Sequence, residues 1–517
     1  MAQSKRETER KYAAPAADDI PWLPDMAHVG PATSLADRGI QELDAVYYDT
    51  DDLRLTRTHA SLRRRTGGTD AGWHLKLPLP GDSREEIQAP PTSADVPGEL
   101  RELALSRTRG APLRPVVRIR STRSLRHLLD AEGDVLAELS MDAVRADSLL
   151  DDGGHAMWTE LEVELGDDGT PDLLDDIEKV LHENGVDRAQ SPSKVVRALS
   201  ETTPAPAATT AALVGTPDEN TAAGTAGDHV LAYVDHLVGA LIELDPAVRR
   251  GAPDAVHRMR TTTRRLRGCL RSYRSVLDRG TTDPLRRDLK WLAGELGDER
   301  DHEVLVERLA SGVRELPGEL VLGPVAARLQ AWDAAQGAEG RRRTLAALAA
   351  PRYLDLLERL NTLTDTPPLR PKAAGRPEKV LVKAVRKEYG RLAARMDRAL
   401  GMPSGPERDA AIHHARKGAK RLRYAAEAAR AALGGPVRRL GKRAKEVQQV
   451  SGAQHDGVVA RGVLRRLAVA AHAAGESGFT WGLLYGEERA AAAVRERQLP
   501  EAWARARDAS GHKALRG

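Results

Sequence analysis

Two stretches of this chain repeat one basic pattern. Residues 256–267 read V-H-R-M-R-T-T-T-R-R-L-R and residues 412–423 read I-H-H-A-R-K-G-A-K-R-L-R. At one constant offset His257 pairs with His413, Arg260 with Arg416, Arg264 with Lys420, Arg265 with Arg421, Leu266 with Leu422 and Arg267 with Arg423. Such a duplication constrains the fold, because whatever one copy builds the other must build again. On a helix, positions i, i+3 and i+7 share a face, so the His, Arg and Arg/Lys of each copy form one stripe. Like charges arranged this way repel unless an anion neutralises them. Two such stripes point to a polyanion.

The repeat is wider than the basic helices. L-A-G-E-L-G-D-E-R-D (292–301) is echoed by V-Q-Q-V-S-G-A-Q-H-D (447–456), with Gly297 matching Gly452 and Asp301 matching Asp456. Around both copies Ala, Leu and Arg dominate and apolar residues recur at three and four, the helical period. The expectation is an all-α region of two bundle-like repeats, about 228–365 and 376–500, with short connections between antiparallel neighbours. Gly418 stands mid-helix in the second copy and is expected to weaken that helix locally.

Residues 200–227 are rich in Ala, Thr, Pro and Gly without periodicity, which is linker composition. They divide the chain into a front domain over 1–200, a linker over 201–227 and a back domain over 228–517. Charge divides at the same place. The first 200 residues carry 25 Lys and Arg against 37 Asp and Glu, a net of −12, and the remainder carry 54 against 38, a net of +16. That asymmetry again suggests a polyanionic partner.

The front reads as strands. R-E-T-E-R-K-Y, A-S-L-R-R-R-T, G-W-H-L-K-L-P, V-V-R-I-R-S-T-R, V-L-A-E-L-S-M-D and W-T-E-L-E-V-E-L all alternate with period two. In several of them one face is charged: Glu7, Glu9 and Lys11; Arg63 and Arg65; Arg118 and Arg120; Glu160, Glu162 and Glu164. The plain expectation puts that face in solvent. A closed antiparallel barrel offers the other option, a wet, charged interior around a polar ligand. Adjacent carboxylates repel unless a cation bridges them, and a hard ion such as Mg²⁺ takes a few carboxylates plus waters and phosphate oxygens.

In this order the motifs resemble those of the CYTH domain, the triphosphate tunnel metalloenzymes. The resemblance rests on E-T-E-R-K (7–11), Y-Y-D-T-D-D-L-R-L (47–55), S-L-R-R-R (61–65) and W-H-L-K (73–76). It continues through V-V-R-I-R-S-T-R-S (116–124), L-S-M-D-A-V (139–144), E-L-E-V-E-L (160–165) and S-P-S-K (191–194), covering about residues 1–200. It implies an eight-stranded antiparallel tunnel that hydrolyses triphosphates with a divalent metal, Mg²⁺ or Mn²⁺. It makes Glu7, Glu9, Asp142, Glu160, Glu162 and Glu164 metal-side carboxylates, with the choice among the last three open. Lys11, Lys76 and Arg123 become catalytic cations, and Arg63, Arg65, Arg120 and Lys194 substrate ligands; Arg120 and Arg123 remain alternatives.

The back resembles the CHAD domain, on V-H-R-M-R-T-T-T-R-R-L-R-G-C-L-R-S-Y-R (256–274), I-H-H-A-R-K-G-A-K-R-L-R-Y-A-A-E (412–427) and L-G-D-E-R-D-H-E-V-L (296–305). This implies two bundles about a pseudo-twofold, with basic helices flanking a site for inorganic polyphosphate. His257, Arg260, Arg264, Arg265, Arg267 and Arg271 are expected to serve it from the first copy. His413, Arg416, Lys417, Lys420, Arg421 and Arg423 are expected to serve it from the second.

The overall expectation is a two-domain α+β chain that hydrolyses tripolyphosphate in front and binds polyphosphate behind. The rival is a non-catalytic polyphosphate sensor or granule-targeting protein; thiamine and nucleoside triphosphates are rival substrates. Aromatic residues are 3% of the chain, so the stacking platforms that single-strand nucleic acid binders interleave with basic residues are missing. One cysteine, Cys269, excludes an internal disulfide and fits a reducing compartment. No apolar run approaches the roughly 20 residues that span a bilayer. A cytoplasmic protein, in solution or on polyphosphate granules, is the expectation; the oligomeric state is open.

Overall fold

The computed structural model describes residues 3–14, 23–151, 153–203 and 224–510. Most of the expected linker lies outside them. The chain divides into two compact units, Met1–Pro217 and Asp218–Gly517.

In the first unit eight strands close into an antiparallel barrel. They are β1 (Gln3–Ala13), β2 (Ser34–Asp49), β3 (Ser61–Thr66), β4 (Gly72–Pro78), β5 (Ser83–Ala89), β6 (Arg114–Leu129), β7 (Val135–Ser148) and β8 (His155–Leu165). Around the wall they run β1-β5-β4-β3-β2-β6-β7-β8. The charged faces of β1, β3 and β8 turn inward, against the plain expectation, while that of Arg118 and Arg120 on β6 stays outside. The apolar alternates therefore point outward and need cover. Helix α4 (Pro171–Glu183) packs Leu173, Leu174, Ile177 and Leu181 over Leu139, Leu161 and Val163. Short helices α1 (Arg54–Arg57), α2 (Gly98–Leu103) and α3 (Leu105–Thr108) lie near the outer side of β3–β5, where Leu62, Trp73, Leu75 and Ile87 cluster with Leu55, Leu100 and Leu103.

One end of the lumen is closed. Helix α5 (Lys194–Thr202) sets Val195, Ala198 and Leu199 against Tyr47, Ile119, Val144, Ala146 and Trp158, which face inward on their strands. Ser193 caps this helix, its hydroxyl accepting from the Val196 amide at 3.3 Å. The S-P-S-K motif thus places a lysine in the first turn, where the helix dipole disfavours a cation; acidic partners must hold it.

The second unit is all helical among its described residues, apart from 3₁₀ turns and one isolated bridge. The first repeat holds α6 (Ala226–Arg249), α7 (Ala255–Ser272), α8 (Arg279–Glu315), α9 (Val325–Ala349) and α10 (Pro351–Asp365). The second holds α11 (Pro377–Leu400), α12 (Pro406–Ala428), α13 (Arg430–Ala473) and α14 (Phe479–Ser510). The first repeat breaks its return path at Pro351, whereas in the second Pro500 lies inside one continuous helix. One core runs through both repeats, from Val230 and Leu266 to Leu422 and Trp503.

Gly418 does not interrupt α12. The helix runs unbroken through it, and an added Cβ would stand 3.2 Å from Arg395 Nη1 and 3.3 Å from Leu392 on α11. The glycine permits close helix packing.

Candidate functional site

The barrel register determines which charges meet. Glu9 lies opposite Glu164 and Lys11 opposite Glu162 across β1–β8. Asp142 lies opposite Glu160 and Arg123 opposite Asp142 along β8–β7–β6. Since side chains alternate, each of these pairs shares the inner face. The lumen is a cavity of about 290 Å³.

Two acidic groups stand in it. Glu7, Glu9 and Glu164 form one, Asp142, Glu160 and Glu162 the other, each able to present oxygens within 4.8 Å of one another. Lys76 Nζ is 2.5 Å from Glu7. Glu9 has Lys11 at 3.3 Å and Arg84 at 3.4 Å, yet its buried Oε1 accepts no hydrogen bond. The second group is more fully paired. Lys194 Nζ lies 2.8 Å from Asp142, 2.6 Å from Glu160 and 2.7 Å from Glu162. Arg123 grips Asp142 through two 2.8 Å bonds and reaches Glu162 at 3.0 Å; Glu162 also binds Lys11. The first group, in which Glu9 is paired more loosely, at 3.3 and 3.4 Å, fits a divalent ion best.

Burial sets the protonation states. It pushes Glu7 up to about 7, with Lys76 opposing, while a hydrogen bond with Glu86 leaves the proton on Glu7. Burial also works to raise Glu86 and Glu9, but neighbouring cations and, for Glu86, a hydrogen bond from His74 outweigh it. Lys76, His74 and Arg63 hold Glu86 down, and Lys11, Lys76 and Arg84 hold Glu9 down. Lys11 falls to about 7 because burial outweighs its carboxylates. Arg65 falls to about 9 through burial and its neighbours Arg63 and Arg123.

Glu7, Glu9, Lys11, Arg63, Arg65, Lys76, Arg123, Glu162, Glu164 and Lys194 all line the lumen, and Asp142 and Glu160 are buried at its Lys194 end. Arg120 is the exception. It sits on the outer face of β6 with its side chain 45% exposed, between Asp44 at 4.0 Å and Asp147 at 3.4 Å. Three residues apart, Arg120 and Arg123 fall on opposite faces of the strand. The sequence reading missed Arg84 and Glu86 on β5, although S-R-E-E-I-Q-A alternates as the others do. Glu86 is buried and bonded to His74 at 2.8 Å. Tyr47, Glu138 and Lys5 also line the lumen without having been singled out.

In the helical unit α7, α8 and α12 enclose a cavity of about 540 Å³. Arg264, Arg267 and Arg271 come from α7, Lys417, Lys420 and Arg421 from α12, and Arg286, Arg287 and Lys290 from α8; Asp283 is the acid in the lining. The α8 trio was not expected, since it lies outside the repeated motif. The other basic residues go elsewhere. Arg260 binds Asp301 (2.5 and 2.9 Å) and Arg416 lies 3.6 Å from Asp456. Each guanidinium crosses a glycine, Gly297 or Gly452, where a Cβ would come within 3.4 or 3.3 Å. The matched Gly and Asp pairs are thus clamps for these two arginines. Arg265 and Arg423 share Glu427. His257 is exposed, and His413 lines a separate small cavity beside His414.

Lys420 is half-buried within the charge cluster. Burial, then Arg416, Arg264, Arg260 and Arg423, bring it down to about 7.

Comparison with known proteins follows this division. The CYTH domain family matches residues 5–199 and the CHAD domain family residues 232–465. Uncharacterized proteins from two strains of Mycobacterium tuberculosis are each 38% identical over 525 residues, spanning 98% of this chain and 97% of theirs. Among solved structures, PptA from Streptomyces chartreusis is 22% identical with a TM-score of 0.46, covering 54% of this chain and 99% of its own. The CHAD domain from the plant Ricinus communis is 24% identical with a TM-score of 0.45, covering 57% and 94%. A Hippeastrum protein described as revealing a dominant triphosphatase activity is 16% identical with a TM-score of 0.25, covering 39% and 97%. The chain therefore belongs to the family in which a CYTH domain, of the triphosphate tunnel enzymes, is followed by a CHAD domain.

Proposed function

We propose that the barrel hydrolyses inorganic tripolyphosphate and that the helical unit binds inorganic polyphosphate. The observation that carries the first part is the lining of the lumen: Lys11, Lys76, Arg63, Arg65, Arg84 and Arg123 converge on a cavity that also holds two carboxylate groups. Phosphoryl transfer asks mainly for positioning and for neutralisation of the transferring group. Those cations can grip consecutive phosphates, and arginine does so with paired donors. Glu7, Glu9 and Glu164 are the residues that would hold Mg²⁺ or Mn²⁺. When bound there, such an ion would offset phosphate charge and lower the pKa of a coordinated water.

The size and chemistry of the cavity favour an inorganic substrate. At about 290 Å³ it stands at the small end of ligand sites, which run from about 300 to 1,000 Å³. Tyr47 is the aromatic ring in its described lining, and Arg63 binds its hydroxyl at 3.3 Å. A base or thiazolium ring would find no second face to stack on. Polyphosphate binding behind rests on nine cations against one acid around a cavity whose described lining offers one aromatic ring, Tyr424, for a base to stack on.

The test is phosphate release from tripolyphosphate with Mg²⁺ or Mn²⁺, comparing the intact chain with Glu7→Gln, Glu9→Gln. Metal-dependent release that the double variant loses is expected. No release with either metal from folded protein that still binds polyphosphate would leave a sensor instead.

A further inference from the structure

The duplication predicts two equivalent basic faces, yet the helical unit opens one. On the open side Arg267 and Arg421 line the cavity together with Arg271. At the offset that pairs His257 with His413, the counterparts of these three are Arg423, Arg265 and Glu427. The two arginines are kept and the third is replaced by an acid. Glu427 lies 3.1 Å from Arg265 and 3.3 Å from Arg423, one carboxylate between two guanidiniums. Tyr233 on α6 donates a hydrogen bond to it at 3.2 Å. A second sequence difference lies on the open side: Gly268 in the first copy is matched by Tyr424 in the second, whose ring packs over that glycine in the lining of the open cavity.

We propose that Arg265 and Arg423 form a second polyanion face of the helical unit, closed by Glu427. This rests on the polyphosphate reading of the open face. The carboxylate takes the place that a phosphate would take between the two arginines, which are built to receive a planar or tetrahedral oxyanion. On the open side the corresponding cations have no such bridge from α7 or α12. Glu388 lies 3.8 Å from Arg421 but comes from α11, and it is bonded to Arg391. The unit so arranged has an anchoring face and a latent one, and a long phosphate chain would cross from the first to the second only by displacing Glu427.

The test is binding of a linear polyphosphate of defined length to the full chain, by calorimetry over a series of salt concentrations. Neutralising the bridge frees two cations, and each phosphate contact adds about 0.7–0.9 to the salt slope for nucleic acid polyanions. Glu427→Gln is therefore expected to bind about tenfold more tightly, with a slope steeper by about 1–2. Arg271→Glu installs the same acid at the matching position of the open face and is expected to weaken binding by tenfold or more. Glu427→Gln with wild-type affinity and slope would overturn the closed face, as would Arg271→Glu binding like wild type. Wild-type protein that binds no polyphosphate would sink the underlying reading instead, whatever the variants do.

Discussion

Lys194 Nζ lies 2.8 Å from Oδ2 of Asp142, tying the first residue of the closing helix to the wall of the lumen. Asp142 is fully buried, so this contact and the Arg123 fork are what make its charge tolerable there. The helix that closes the lumen is thereby held by the same charges that line it.

Lys194→Ala should accordingly lose both stability and turnover. It leaves Asp142 and Glu160 short of a buried partner, a loss of about 3–5 kcal/mol in comparable buried pairs. Thermal melting of the metal-free chain reads the first effect and tripolyphosphate turnover the second. A variant with wild-type melting would mean that the helix is held by its apolar face alone.

Arg120 and Arg123 separate cleanly. Arg123→Ala removes a cation facing the substrate, and turnover should fall about 10²–10³-fold, as when one donor to a developing charge is removed. Arg120→Ala breaks a half-exposed pair worth about 0–1 kcal/mol and should leave turnover within twofold. Steady-state kinetics on both decides the matter.

Arg84, which the sequence reading passed over, faces the lumen beside Glu9 and donates to the Pro192 carbonyl at 2.5 Å. Arg84→Ala should raise the KM for tripolyphosphate by about tenfold, the loss of one charge-assisted contact. Unchanged KM and kcat would remove it from the substrate site.

Binding by the helical unit should depend on pH through Lys420. Its folded value, about 7, lies below that of a free lysine, so the group adds stability above about 10.5 and that stability is lost as pH falls through 7. Arg260 and Arg264 face it from α7, Arg416 and Arg423 from its own helix. A bound polyanion reverses their effect and restores the proton. Affinity for polyphosphate should fall about tenfold from pH 6.5 to 8.5. Lys420→Arg, which stays charged, should flatten that profile; equal slopes in both proteins would contradict it.

Much of this was legible in the sequence, and the failures have physical reasons. Period-two alternation located β1, β3, β4, β6, β7 and β8, but alternation alone does not say which face is wet. The inward turn of Glu7, Glu9 and Lys11 depends on closure and on α4 covering Leu161 and Val163. β5 was missed although S-R-E-E-I-Q-A alternates, because the weight of its Arg84 and Glu86 shows only once Glu86 is seen buried against His74. In the helical unit the repeat located α7 and α12 but not the division of labour within them. Arg260 and Arg264 are one turn apart, yet Asp301 takes the first and leaves the second to the cavity.

The central claim is the hydrolysis of an inorganic triphosphate inside the barrel. The most direct measurement is kcat/KM for tripolyphosphate, ATP and thiamine triphosphate on one preparation, with Mg²⁺ and with Mn²⁺. A metal-dependent preference for tripolyphosphate of about 100-fold or more is expected, equivalent to about 2.7 kcal/mol. Equal or better turnover of either organic triphosphate, or turnover that needs no metal, would contradict the assignment.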